Sequence, residues 1–175
     1  LYPPVASGDE ATVKTLLGAG ANPNLPGQTV LVLTEAAMTG NVPMVRLLLD
    51  AGAEVPAGKV EPPPGSVKVD DISPLHPAIA AVRSGSLAVL KALLEKRPDL
   101  DLESLGPDFL THDGNMDRTK ATSLFLVEEA VRQGHDELAE LLINRGCIIR
   151  SPTHSLNGFN GARSPQAKLL VQSIT

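Results

Sequence analysis

The sequence predicts an all-α solenoid of about four helix-turn-helix units, with hairpin-like loops between them and an irregular C-terminal cap. Three observations predict this class. Four segments repeat one spacing of glycine and aliphatic residues, and stretches rich in turn-forming residues separate them. Apolar residues make up 42% of the 175 residues but aromatic ones only 2%, a composition that suits thin, regularly stacked helix layers.

Four amphipathic segments carry the repeat, and they begin at Gly8, Gly40, Gly85 and Gly134. The residues 5, 8 and 9 positions after each glycine are apolar. These positions hold Val13, Leu16 and Leu17; Val45, Leu48 and Leu49; Leu90, Leu93 and Leu94; and Ala139, Leu142 and Ile143. Because this spacing places three side chains on one helical face, each segment predicts a helix that buries all three.

The ends of these helices are also marked in the sequence. Gly20, Gly52 and Gly146 lie 12 residues after the starting glycine, where a helix commonly ends in a residue of positive φ. The third segment has Arg97 and Pro98 instead, and a proline cannot continue a helix. We therefore expect all four helices to stop at the same point.

Another helix is predicted before three of these segments, and it is the first helix of each unit. Residues 24–31, 71–76 and 117–124 each form a turn that carries a hydroxyl residue placed to cap a helix, as Ser73 is in the best copy. An alanine-rich stretch then runs to the next glycine. The predicted unit is a turn, a helix, a tight loop, a second helix and an extended return.

This unit resembles the ankyrin repeat. The segment from Gly8 to Asn24 matches the second half of that repeat, through Asp9, Val13, Leu16, Leu17, Gly20, Ala21 and Asn24. Ser73-Pro74-Leu75-His76 matches its T-P-L-H signature. Together the matches cover about residues 1–55, 71–101 and 117–149.

The resemblance implies an ankyrin-repeat domain over residues 1–150 and a C-terminal extension or cap over 151–175. The repeats are expected at about 1–24, 25–56, 68–101 and 117–150, with insertions at 56–67 and 102–116. Residues 31, 75 and 124 stand 9, 10 and 10 positions before the next glycine, where the family pattern has about 7. We therefore expect the first helices to be about 3–4.5 Å longer than usual. Leu1, Tyr2 and Val5 suit a solvated solenoid end poorly, so we expect further sequence or a partner there.

Charge, apolar run length and cysteine usage indicate which partners and which cellular location to expect. The net charge is −5 and no basic stripe is visible, so we expect no nucleic acid to bind. No apolar run reaches the roughly 20 residues that a membrane span needs, so we expect no membrane insertion. A single cysteine and the absence of N-x-S/T acceptors favour an intracellular protein, cytoplasmic or nuclear.

The sequence predicts no catalytic residue, no metal site and no cofactor. The resemblance gives His76 and His135 structural roles at a turn and a helix start, and makes Cys147 a small buried residue. His112 and His154 lack ligand partners at zinc spacing. Glu128 and Glu129 are adjacent, so on a helix their side chains diverge, and they are interpreted as solvated charges. We therefore expect a protein that is not an enzyme.

The resemblance places partner binding in a concave groove lined by hairpin tips and first helices. The matching hairpin positions are Leu25, Pro26, Gln28, Val69, Asp70, Ile72, Arg118 and Thr119. The matching helix positions are Met38, Thr39, Arg83, Ser84, Arg132 and Gln133.

Arginine and apolar residues are plausible anchors at this surface. The leading hypothesis is therefore a protein-protein interaction module or scaffold that holds a partner segment with an apolar patch and acidic residues. The alternative is a regulatory ankyrin domain of a larger enzyme, channel or transcription regulator that contacts its own chain. In either case the chain is expected to be a fragment of a longer one.

Overall fold

A computed structural model describes residues 1–24, 31–58, 76–102, 105 and 122–147, and within the last range it leaves out the side chains of residues 122–125, 128 and 132. All regular structure in these ranges is helical, which confirms the all-α prediction. The helices are α1 Tyr2–Ala6, α2 Glu10–Gly18, α3 Val32–Met38, α4 Val42–Asp50, α5 Pro77–Arg83, α6 Leu87–Lys96, α7 Thr122–Gln133 and α8 Asp136–Asn144.

The chain divides into two compact units, Leu1–Leu100 and Asp101–Thr175. In the first unit α1 pairs with α2, α3 with α4 and α5 with α6 as helical hairpins. The helices that open the hairpins pack side by side, with α3 between α1 and α5. We call α1, α3 and α5 the first-helix layer. The second helices form the other layer, in which α4 contacts both α2 and α6.

The second unit contains the hairpin of α7 and α8. The predicted domain limits stay a prediction. Residues 59–75, 106–121 and 148–175, which include most of both insertions and the whole C-terminal extension, lie outside the described residues.

Local hydrogen bonds fix where the second helices begin. The Asp9 carboxylate accepts the Thr12 amide at 3.0 Å, and the Asn41 amide oxygen accepts the Met44 amide at 3.0 Å. Ser86 occupies the same position before α6. Each side chain satisfies a backbone donor that the first turn of a helix leaves unpaired. The polar residue after the starting glycine therefore caps α2, α4 and α6, whereas His135 makes no such bond at the start of α8.

The predicted helix ends are confirmed. Gly20, Gly52 and Gly146 all have φ close to +90°. The third copy stops without glycine, since α6 ends at Lys96 and Arg97 takes an extended φ of −133°.

The apolar faces are buried as predicted in the middle of the first unit but not in α2. Val45, Leu48 and Leu49 in α4 are all buried, as are the three matching residues of α6. In α2 only Val13 is buried, while Leu16 is 36% exposed and Leu17 is half-buried. The prediction of three buried residues is therefore wrong for α2, because among the described elements α2 has only α4 as a neighbour in its layer. In α8 the third position, Ile143, is half-buried as well.

Two further expectations about the first helices are wrong. Helices α3 and α5 are each only 7 residues long, and α7, with 12 residues, is the one long first helix among the described elements. The cap of α5 is His76 and not Ser73, because the chain is still extended at His76 and its ring accepts the Ala78 amide at 3.1 Å. Leu31 takes the corresponding place before α3 without a side-chain bond. Val5, one of the apolar residues near the start of the chain, is 1% exposed.

Candidate partner-binding surface

The predicted helix positions that the structure describes lie at the C-terminal ends of first helices. Met38 ends α3 and is 42% exposed. Arg83 ends α5 two residues before Gly85, as Met38 precedes Gly40, and it is half-buried. Both belong to the first-helix layer of the first unit, so the structure places this apolar residue and this cation at equivalent points of neighbouring repeats.

Two predicted contact residues also serve the helix ends. The Thr39 hydroxyl donates to the Ala36 carbonyl at 2.9 Å, and the Ser84 hydroxyl donates to the Ala81 carbonyl at 3.1 Å. Each hydroxyl satisfies a carbonyl near the end of its own helix. Their protons are therefore engaged, and a partner could use these oxygens as acceptors only.

The matching positions of the second unit are Arg132 and Gln133 at the end of α7. The Arg132 side chain lies outside the described residues. The exposed Gln133 amide donates to the Glu129 carboxylate one turn earlier. Glu129 is 8% exposed, so its interpretation as a solvated charge is wrong. Burial of a carboxylate is tolerated where it is hydrogen-bonded, as Glu129 is here.

The predicted hairpin positions are not described. They are Leu25, Pro26, Gln28, Val69, Asp70, Ile72, Arg118 and Thr119, and all of them stay predictions.

Two residues of the first-helix layer were missed by the sequence analysis. The Tyr2 phenol on α1 donates to Oε2 of Glu35 on α3 at 3.2 Å. Tyr2 is 40% exposed, and the charge of Glu35 together with this hydrogen bond raises the pKa of the phenol above its usual value. Glu35 lies three residues before Met38, a spacing that signals a shared helical face. Nothing in the sequence signals that Tyr2 reaches Glu35, since 33 residues separate them.

The His76 ring is occupied by structural bonds. Its Nδ1 accepts the Ala78 amide at 3.1 Å, so the proton lies on Nε2, which faces the Pro56 carbonyl at 3.0 Å. Burial lowers the pKa of the ring below its usual value. His76 therefore links the end of the second repeat to the start of α5, in agreement with its predicted structural role.

The other reactive side chains offer no assembled site in the described ranges. His135 is the N-terminal cap residue of α8 but makes no side-chain cap bond, and Cys147 is buried, as expected of a small core residue. Within these ranges no three His, Cys, Asp or Glu side chains gather where they could hold a metal ion. None of the described helices has the length and apolar character needed to cross a membrane.

Known proteins share this architecture and sequence. Residues 5–105, more than half of the chain, match a family model described as ankyrin repeats in 3 copies. Human ankyrin repeat and MYND domain-containing protein 1 is 33% identical over 106 residues, and its mouse counterpart is 29% identical over 106 residues. In both, the match covers 61% of this chain but spans only 11% of the relative.

A solved structure shows the same similarity. The crystal structure of the human ASB11 ankyrin repeat domain superposes with a TM-score of 0.54 and 27% sequence identity. The match covers 82% of this chain and 52% of that one. The repeated helical hairpins, the glycine and aliphatic spacing and the family match agree, and this chain belongs to the ankyrin-repeat family.

Proposed function

We propose that this chain is a non-catalytic interaction module that holds a segment of another protein on its first-helix layer. Ankyrin repeats generally mediate protein-protein interactions, and stacked repeats offer an extended concave surface for them. The observation that carries the proposal is the equivalent placement of Met38 and Arg83 at the ends of α3 and α5. We also propose that the protein is intracellular.

The chemistry of these positions favours a partner segment with an apolar patch and an acidic residue. Met38 is unbranched and polarisable, so it adapts to differently shaped apolar partners. The Arg83 guanidinium can hold a carboxylate by two parallel hydrogen bonds. Arg132 would offer the same group in the second unit.

The test is an affinity purification from native lysate with the 175-residue chain as bait. A groove variant carries Met38→Glu and Arg83→Glu, and a separate variant carries Arg132→Glu. The matched control is Arg46→Glu, which reverses an exposed charge on α4 in the other layer. Circular dichroism and a thermal melt first establish that each variant is folded, which matters for the half-buried Arg83.

Proteins that are lost with the groove variant and retained by Arg46→Glu are the expected result. Proteins retained by all variants would contradict the proposal, and their site would lie in the insertions or at the ends. If no protein is captured, the alternative gains support, namely a regulatory domain that contacts other parts of its own, longer protein.

A further inference from the structure

The exposed Tyr2 and Met38 and the half-buried Glu35 form a surface patch on α1 and α3, which we call the Tyr2 patch. Three large apolar side chains are exposed in the described part of the chain, and two of them, Tyr2 at 40% and Met38 at 42%, lie here. The phenol reaches Glu35 at 3.2 Å, and Met38 follows Glu35 by one helical turn. The patch therefore combines two apolar side chains with one carboxylate.

The Glu35 carboxylate keeps capacity to bind a donor. The phenol supplies one hydrogen bond, to Oε2, and a carboxylate has about four acceptor positions. The raised pKa of Tyr2 means that the phenol remains a donor and adds no negative charge of its own at neutral pH. Glu35 is half-buried, so solvent screens an ion pair there less than on an open surface.

We propose that the Tyr2 patch binds an Arg or Lys of the partner segment that stands next to an aliphatic or aromatic side chain. The cation is held by Glu35, and the neighbouring apolar side chain packs on Met38. A guanidinium can also stack on the exposed Tyr2 ring, which favours arginine over lysine. An acidic residue at this point would be repelled by Glu35 and by the net charge of −5.

The inference rests on the proposed function and adds the direction in which the partner segment runs along the repeats. The partner segment presents its basic residue to α1 and α3, and its acidic residue to the end of α5, where Arg83 lies. The order of charges along the segment is thereby set by the order of repeats in this chain.

The test is a selection of random 12-residue peptides displayed on phage against the whole chain. Selections run in parallel on the wild type, Glu35→Lys and Glu35→Gln. The matched control is Glu95→Lys, which reverses an exposed charge on α6 in the other layer. Enriched peptides are then synthesised, and their affinities are measured for each variant and for the groove variant defined above.

We expect wild-type peptides to carry Arg or Lys beside an apolar residue. Glu35→Lys should weaken them roughly tenfold, Glu35→Gln roughly threefold, and the control Glu95→Lys less than about twofold. Peptides selected on Glu35→Lys should carry Asp or Glu in place of the basic residue.

The other outcomes separate the two proposals. Peptides that are lost with the groove variant but bind Glu35→Lys unchanged would overturn this inference and leave the proposed function standing. Peptides that bind both variants unchanged would contradict both. A library from which no peptide is enriched would also overturn the inference, because a patch that reads two neighbouring side chains should retain short peptides.

Discussion

The Asn24 side chain donates to the Gly52 carbonyl at 2.8 Å, which links the end of the first repeat to the end of the second. The same amide accepts the Glu54 backbone N–H at 2.9 Å, so one side chain satisfies a donor and an acceptor of the neighbouring repeat. Neither group belongs to a helix, and without Asn24 both would depend on water. The contact fixes the register between repeats rather than the shape of either one.

Replacement of Asn24 should therefore destabilise the first two repeats. We expect Asn24→Ala to lower the free energy of unfolding by about 1–3 kcal/mol, because two hydrogen bonds are lost. The measurement is urea unfolding followed by circular dichroism. The control, Asn144→Ala at the exposed end of α8, should change it by less than about 0.5 kcal/mol. Equal losses for the two variants would contradict this account.

Leu16 and Leu48 occupy the same repeat position but differ in burial. Leu48 is fully buried between neighbouring helices, whereas Leu16 is 36% exposed. Leu48→Ala should cost about 2–5 kcal/mol, because it leaves a cavity in the core, and Leu16→Ala about 1 kcal/mol or less. Chemical unfolding of the two variants side by side checks the difference. Similar costs would mean that another part of the chain covers Leu16.

His76 should contribute more to stability than His135, although both stand at a helix start. His76→Ala removes the cap of α5 and the link to Pro56, so we expect a loss of about 2–4 kcal/mol. His135 makes no side-chain cap bond, and His135→Ala should cost less than about 1 kcal/mol. Thermal melts of both variants test the order, and the reverse order would be incompatible with the structure.

The same histidine should make stability depend on pH. Burial lowers the pKa of His76 in the folded state below the value of 6.5 expected for the unfolded chain. The unfolded state therefore binds more protons between these two values, so the stabilisation is complete above pH 6.5 and falls as the pH drops below it. Unfolding free energies measured from about pH 5 to 8 should show this decline in the wild type and a smaller one in His76→Gln. Parallel curves would contradict the assignment.

Gly18 and Gly20 offer a matched pair two residues apart. A Cβ would meet no atom within 4 Å at either, but Gly20 has φ of +89° and Gly18 is the last residue of α2. Gly20→Ala should destabilise the chain by about 1–2 kcal/mol through backbone strain alone. Gly18→Ala should stabilise it by about 0.5–1 kcal/mol, because alanine restricts the unfolded chain and favours the helix. The two substitutions should shift the melting temperature in opposite directions, which differential scanning calorimetry measures.

The sequence by itself determined the repeat. Glycine, cap and aliphatic residues recur at fixed distances, and each of them acts on its own part of the chain. Gly20 allows a positive φ, Asp9 accepts a backbone N–H of α2, and the aliphatic residues of α4 form a buried helical face. Local rules of this kind act over one or two helical turns, so spacing is enough to read them. The family followed from several such matches in order.

Tertiary structure decided what depends on neighbours. Leu16 follows the same pattern as Leu48, yet its exposure depends on whether a helix lies on each side of α2. The turn pattern predicts Ser73 as the cap of α5, but the His76 ring caps this helix instead. The ring is held in place by the Pro56 carbonyl of the preceding repeat. The Tyr2 patch arises in the same way, since the contact of Tyr2 with Glu35 exists only after α1 has packed on α3. Each of these results from packing between segments that are far apart in sequence, which spacing within one repeat does not encode.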